Sequence, residues 1–461
     1  MSHDVSFLDA LGLDGEVSTS PGTLESHAGD WGTPDGEGVA PDAVVYPAST
    51  DDVSAALAAA SDRGVPVTPY AAGTGLEGNA VPVEAGVSLD LSRLDAVLDV
   101  RPGDFQMDVQ PGVMGSTVDE RAGEDGLWFP PLPSSGDIST IGGMIATDAG
   151  GMGTVKYGEV ADWLVGLEVV LADGTVVETG TRAVKSSAGY NLTELVVGSE
   201  GTLGVVTEAT LELDGRPRQV RGGRAVFETL DDAAAAVTDA VQSGVDVAKL
   251  ELVDETSARM ANAYTGTDLP DAPMVFVEFH ADHGIEAEVR YCREVFDAHD
   301  PLRFELAADG EGMADLWQAR RDLAFAIRSY DPDLTPLHPG DVTVPISEYG
   351  TVVRYAKALA AEHDVVVPCF GHAGDGNVHY SVLVDDADPE AVETGEMVYR
   401  QIVEKAIALG GTSTGEHGIG RGKRDYLERE RGPGAVDAMR RVKRALDPDG
   451  VLNPGKILPD D

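Results

Sequence analysis

The sequence predicts an α+β protein of more than one domain, and three observations carry that expectation. Strand-like and helix-like stretches alternate with no internal repeat and no low-complexity linker. Up to about residue 215 the strands are separated by glycine-dense loops, whereas beyond it alanine-rich helices stand between strands. A chain of 461 residues with 42% apolar content is long enough for about three domains and for buried cores.

Taken in order, residues 42–46 read as a strand, 51–62 as a helix capped by Ser49 or Thr50, 65–68 as a strand, and 87–91 as a strand after a glycine loop. Residues 105–109, 165–171, 176–178 and 205–213 continue the strand-rich part. The run Asp214-Gly215-Arg216-Pro217-Arg218 marks a change of composition. After it come a helix over 231–243, a strand over 274–280, further elements over 249–260 and 314–328, and a strong amphipathic helix over 391–409. The apolar runs 364–370 and 378–384 read as strands, and the tail 421–458 as helical until Asn453-Pro454-Gly455-Lys456. The expected domains are 1–217, 218–420, and a segment 421–461 that returns to the first.

Eighty acidic residues against 33 basic ones give a net charge of −47. That balance argues against binding nucleic acid or an anionic membrane surface. The acids are dispersed and only eight of the basic residues are lysine, which suits solubility in a high-salt cytoplasm where screening suppresses self-repulsion. Two cysteines, Cys292 and Cys369, are too few for an iron–sulfur cluster or a disulfide framework. No basic-then-apolar leader begins the chain and no stretch approaches the ~18 apolar residues of a membrane span. The expected location is cytoplasmic, or peripheral at the inner face of the membrane.

Residues 69–79 (Pro-Tyr-Ala-Ala-Gly-Thr-Gly-Leu-Glu-Gly-Asn) contain a literal G-x-G-x-x-G at Gly73, Gly75 and Gly78. A Rossmann fingerprint needs a helix directly after the glycines, and here a strand follows. Consecutive unhindered N–H groups can still cradle a diphosphate; the plain alternative is a flexible surface turn. Two further glycine-dense blocks, 139–153 and 198–207, place small residues where backbone must approach something flat or charged. Three such blocks suggest one large extended cofactor.

The segment Gly371-His372-Ala373-Gly374-Asp375-Gly376-Asn377-Val378-His379, followed by Gly415-Glu416-His417-Gly418, points to chemistry. His372 and His379 flank a tight Gly/Asp turn between two strands, which brings their imidazoles close, and Glu416 can supply a third ligand. Two neutral imidazoles and a carboxylate suit Zn²⁺, Mn²⁺ or Fe²⁺ and leave positions open, as in a catalytic metal site. His417 is then left to move protons. A histidine alone beside a hairpin is usually a satisfied surface or core side chain; three of the ten in two glycine-flanked segments that also contain carboxylates is what makes the case.

These blocks in this order resemble the FAD-binding domain of the vanillyl-alcohol-oxidase flavoprotein superfamily. With the two histidine segments added, residues 40–458 resemble its FAD-dependent D-2-hydroxyacid dehydrogenases: cytochrome-type D-lactate dehydrogenase, the glycolate oxidase D subunit and D-2-hydroxyglutarate dehydrogenase. Residues 126–130, 185–192, 198–204 and 453–456 resemble the D-lactate branch. The resemblance implies a two-subdomain FAD-binding domain and an α+β substrate or cap domain with an antiparallel sheet. It implies that Ala71, Ala72, Gly73, Thr74, Gly75 and Leu76 cradle the FAD pyrophosphate. Thr140, Gly143, Ala146 and Thr147 then run along the flavin and ribityl chain, and Gly204 and Val206 reach the adenine side. It also implies His372, His379 and Glu416 as metal ligands, Asn377 as a substrate contact, His417 as the base at the substrate hydroxyl, and Arg320 as the partner of its carboxylate.

This sequence departs from the pattern in places. Asp148 stands where many relatives have asparagine, and Ala71-Ala72 replaces a pair often seen as glycines. No histidine lies in 69–79, so the flavin is expected to be non-covalent. Ala324 and the Pro339 region lack the threonine and lysine that hold a second carboxylate in hydroxyglutarate enzymes. The expected reaction is oxidation of a short D-2-hydroxyacid, D-lactate first, with a divalent metal (Zn or Mn) and electrons passed to a quinone, a cytochrome, an electron-transfer flavoprotein or a partner subunit. Two other classes are a flavin-free metallohydrolase and a non-catalytic flavin-holding subunit. The first leaves the glycine blocks unexplained; the second leaves His372, His379, Glu416 and His417 without a purpose.

Overall fold

A computed structural model of the chain describes residues 2–34, 36–307 and 310–460. The chain divides into two compact units. The first comprises residues 1–150, 159–216 and 416–461, the second 151–158 and 217–415.

The first unit holds two main sheets and a two-stranded pairing of Leu127–Trp128 with Asp214–Gly215. One has four strands in the order Glu16–Ser18, Ala43–Tyr46, Val87–Asp90 and Val67–Tyr70, the last three parallel and the first antiparallel. Parallel neighbours need a crossover. Thr50–Ser61 carries the chain from Ala43–Tyr46 to Val67–Tyr70, which lie on either side of Val87–Asp90; it is begun by Ser49, whose hydroxyl accepts the Asp52 amide, and buries Val53, Ala56, Leu57 and Ala60. The glycine loop after Tyr70 leads to the strand Val87–Asp90 with no helix between them, so the Rossmann arrangement is absent. The second sheet is antiparallel, in the order Val97–Arg101, Gln106–Val109, Val205–Glu212, Leu164–Val170 and Val176–Gly180. A core of Met107, Val109, Phe129, Ile141, Leu167, Val169 and Leu211 packs on it.

The second unit is built on a seven-stranded antiparallel sheet. Its order is Arg303–Leu306, Gln219–Val226, Met274–Ala281, Lys249–Val253, Cys369–Gly371, Asn377–Tyr380 and Gly340–Thr343. The helices Leu230–Gln242, Glu255–Thr265, Ile285–Asp297, Tyr349–His363 and Pro389–Ala408 accompany it. Thr229, Asp254 and Asp388 cap three of them through side-chain oxygens.

Three sequence expectations change in detail. Of the run 364–370, only the end forms a strand, as Cys369–Gly371, while Val366 makes a single antiparallel bridge to Leu383. Asp364 instead closes the preceding helix in the left-handed conformation, and the Val365 amide returns to the Ala360 carbonyl. Residues 314–328 form two helices, Gly310–Arg321 and Leu323–Arg328. The tail holds two helices, Arg424–Arg431 and Pro433–Leu446, separated by Gly432 at φ +79°. Among the described residues no helix is long and apolar enough to cross a membrane.

Candidate functional site

In the first unit, residues 71–76 form the loop in which the sequence places an anion cradle. The amides of Ala72, Gly73, Thr74, Gly75 and Leu76 have no acceptor among the described residues, while the carbonyls of Gly73 and Gly75 accept from Trp31 and Gly32. A loop pinned by its carbonyls with its N–H groups unspent is chemically matched to an anion such as a diphosphate. Thr74 Oγ1 meets Ser139 Oγ at 3.1 Å, which joins this loop to the second glycine block.

That block forms the short helix Ile141–Thr147, begun by Thr140, whose hydroxyl accepts the Gly143 amide. A methyl on Gly142 would lie 2.6 Å from Pro111 Cβ, so this glycine is required by packing. A methyl on Gly143 would meet nothing closer than Thr140 Oγ1 at 3.4 Å. The Ala146 carbonyl accepts from the Glu200 amide, and Thr147 Oγ1 reaches the Gly143 carbonyl at 3.4 Å. Asp148 ends the helix at φ +52° and accepts the Ala161 amide, a role an asparagine oxygen performs equally. Gly204 packs where a methyl would stand 2.4 Å from Val169 Cγ1, and Val206 is buried in the core of the antiparallel sheet.

A valine at position 75 tests the cradle. Its Cβ would stand 2.9 Å from both Asn79 Oδ1 and Asp30 Oδ2, and its branches would cover neighbouring amides. We expect Gly75→Val to purify without FAD, and wild-type protein to release its FAD on denaturation. Normal flavin occupancy of the variant by absorbance would show that these amides hold something else.

Glu416 and His417 open the last segment of the first unit, and Glu200 holds the loop that follows them. Its carboxylate accepts the amides of Ile419 at 2.7 Å and Gly420 at 2.9 Å, and Asn79 Nδ2 at 2.6 Å. Burial pushes the Glu200 carboxyl up to about 6 against those hydrogen bonds. Asn79 also reaches the His417 carbonyl at 3.4 Å. The half-buried imidazole sets Nδ1 3.8 Å from Glu77 Oε1, and fully buried Lys423 places its ammonium 2.9 Å from that oxygen.

In the second unit the hairpin of Cys369–Gly371 and Asn377–Tyr380 brings His372 and His379 together, ring centroids 4.9 Å apart and perpendicular. The turn is tight because Gly376 adopts φ +86° and a methyl there would strike the Val344 carbonyl at 2.1 Å. Two buried carboxylates stand behind the pair. Glu251, on the strand Lys249–Val253, accepts His372 Nδ1 at 2.8 Å, which fixes the tautomer with its lone pair on Nε2. Asp341 lies 3.8 Å from His379 Nδ1 and accepts Asn377 Nδ2 at 2.7 Å. Its other oxygen accepts Thr414 Oγ1 and the Gly415 amide, the residue directly before Glu416.

Arg320 is 5% exposed rather than solvated, with Nε donating to Glu251 Oε2 at 2.8 Å and the guanidinium stacked over Phe370. Its Nη2 is 2.6 Å from that oxygen yet makes no well-aligned hydrogen bond to any described residue, and neither does buried Asn377 Oδ1. Burial alone would raise the Glu251 carboxyl, but the His372 and Arg320 charges take it below the ordinary carboxylate range. Glu251, Asp341, Glu77 and Glu200 were not singled out from the sequence. The available signal for Glu251 was an acid inside the otherwise apolar stretch Leu250 to Val253.

Residues 41–180 match the family described as "FAD binding domain", and residues 216–457 match "FAD linked oxidases, C-terminal domain". The chain belongs to the FAD-linked oxidases and is an enzyme of that family. It is 38% identical over 424 residues to glycolate oxidase subunit GlcD of Bacillus subtilis, covering 91% of this chain and 90% of that one. To the mitochondrial cytochrome-type D-lactate dehydrogenase of Arabidopsis thaliana it is 36% identical over 420 residues, covering 91% and 74%. To a D-lactate dehydrogenase of Anaerostipes hadrus it is 33% identical over 428 residues, covering 90% and 89%.

Among solved structures, p-cresol methylhydroxylase matches with a TM-score of 0.80 at 18% identity, covering 98% of this chain and 96% of that one. The 4-ethylphenol oxidase of Gulosibacter chungangensis matches with a TM-score of 0.74 at 20% identity, covering 96% and 94%. The fold is therefore of the vanillyl-alcohol-oxidase type, α+β as the sequence predicts.

Proposed function

We propose that this enzyme oxidises a short D-2-hydroxyacid, D-lactate in the first instance, to the 2-oxoacid and passes the electrons to an acceptor other than a nicotinamide. The observation that carries the reading is Arg320. A guanidinium buried to 5% exposure, with one oxygen of Glu251 as its carboxylate partner and Nη2 still without a well-aligned hydrogen bond, is suited to a small carboxylate. The names of the relatives support the same substrate class.

The amides of residues 72–76 would hold the FAD diphosphate, with Ala71 at the start of that loop. Thr140, Gly143, Ala146 and Thr147 would follow the ribityl chain and flavin, and Gly204 and Val206 would lie toward the adenine. His372, His379 and Glu416 would be the metal ligands, two imidazoles and a carboxylate being donors that suit Zn²⁺ or Mn²⁺. When bound, FAD supplies a hydride acceptor and the divalent ion supplies Lewis-acid polarisation of the substrate hydroxyl. Arg320 would fix the carboxylate, Asn377 would contact the substrate through its unsatisfied Oδ1, and His417 would take the hydroxyl proton.

By this reading residues 1–217 are the FAD domain, 218–420 the substrate domain and 421–461 the returning segment. The acceptor is a quinone, a cytochrome, an electron-transfer flavoprotein or a partner subunit. The dispersed acidic surface suits a high-salt cytoplasm; by this reading the enzyme works there, free or peripheral at the inner face of the membrane. The similarity to glycolate oxidase subunits favours a second reading in which glycolate is the substrate.

Anaerobic mixing with D-lactate, L-lactate, glycolate and D-2-hydroxyglutarate, read by loss of the flavin absorbance band, tests both. D-lactate should bleach the flavin fastest. Bleaching by glycolate alone would replace the first reading by the second, and bleaching by none would remove the hydroxyacid assignment.

A further inference from the structure

Glu251 is wholly buried on the central strand Lys249–Val253, and it divides its two oxygens between two functional groups. Oε1 accepts His372 Nδ1 at 2.8 Å; Oε2 accepts Arg320 Nε at 2.8 Å and lies 2.6 Å from Nη2. The arrangement has no slack, because the strand is paired on both sides, with Met274–Ala281 and with Cys369–Gly371. A buried acid with one cationic partner would satisfy electrostatics; this one also sets the tautomer of an imidazole. We propose that Glu251 is a positioning residue that couples the affinity of the metal site to the presence of the Arg320 charge.

The coupling rests on the proposed function, in which His372 binds a metal and Arg320 binds the substrate carboxylate. Its direction follows from charge. With Arg320 in place, much of the Glu251 negative charge is neutralised, and His372 donates to a tempered acceptor. With Arg320 gone, the full carboxylate charge bears on Nδ1–H, which makes Nε2 the more electron-rich and the ion held through it the more tightly bound. Substrate carboxylate, in pairing with Arg320, acts in that same direction: it draws the guanidinium away from Glu251 and tightens the site as the hydroxyacid arrives. Glutamine in place of Glu251 cannot serve both partners, since one of its terminal atoms is a donor and faces either Arg320 or the His372 N–H.

The experiment uses FAD-loaded enzyme freed of metal by a chelator and titrated with Zn²⁺ against a chromophoric competitor. Glu251→Gln should weaken Zn²⁺ binding by about 10- to 100-fold and raise KM for the hydroxyacid. Arg320→Met should instead bind Zn²⁺ more tightly than wild type, and the same change in the Glu251→Gln background should do nothing to Zn²⁺ affinity. If Glu251→Gln does not fold, Arg320→Met alone decides: Zn²⁺ affinity equal to or weaker than wild type overturns the coupling. His372→Ala separates the two levels of inference. Loss of Zn²⁺ there with unchanged affinity in Arg320→Met sinks only the coupling, whereas Zn²⁺ retained in His372→Ala sinks the metal reading itself.

Discussion

His372→Ala and His379→Ala are expected to purify with FAD and without divalent metal, and to lose nearly all turnover. Each removes one of three proposed ligands. Because orienting partners alone are worth about 10–100-fold in affinity, loss of a ligand should cost more than about 100-fold. FAD should stay, since every residue assigned to its cradle belongs to the first unit and both histidines to the second. The variants also differ in an instructive way. Without His372, Glu251 keeps Arg320 as partner and the buried carboxylate stays compensated; without His379, the loss is a ring packed 5.4 Å from Phe370. Elemental analysis of both decides the matter. Unchanged metal content in the pair would make these histidines structural, and the buried acids behind them simple hydrogen-bond partners.

What the sequence reveals of this molecule follows the range over which its causes act. The crossover helix was legible because its cap, Ser49, and its apolar spacing are local, and the structure begins the helix at the next residue. The turn that brings His372 to His379 was legible for the same reason: glycine and aspartate within five residues of each other impose it. Residues 364–370 misled because an apolar run signals burial, not pairing. Val367 is buried without being in a strand, Val366 makes one isolated bridge, and only Cys369–Gly371 forms a strand. The helical tail divides at Gly432-Pro433, where Gly432 takes φ +79° and Pro433, lacking an N–H, opens the second helix. The orienting acids lay beyond reach. Glu251 meets Arg320 across 69 positions and His372 across 121, and Asp341 meets Asn377 across 36. Such pairings are set by the order of strands in the seven-stranded sheet, which no local pattern encodes.

His417→Ala should keep FAD and metal, still bind the hydroxyacid, and slow bleaching of the flavin by about 10² to 10⁴, the range for a positioned acid–base group. The substitution is clean because the loop around residue 417 is held by backbone and by other side chains. The His417 carbonyl accepts from Asn79, and the amides of Ile419 and Gly420 donate to Glu200 whatever side chain position 417 carries. Lys423 and Glu77 remain paired, so removal of the imidazole leaves no isolated buried charge. A general collapse of the site is therefore not expected, and a lost rate reports a lost proton acceptor. Stopped-flow bleaching under anaerobic conditions, with D-lactate varied, separates the rate at saturation from apparent binding. The loss should fall on the saturating rate, with half-saturation little changed. Bleaching at the wild-type rate would mean that another group takes the proton, and His417 would then be a packing residue of the loop that Glu200 holds.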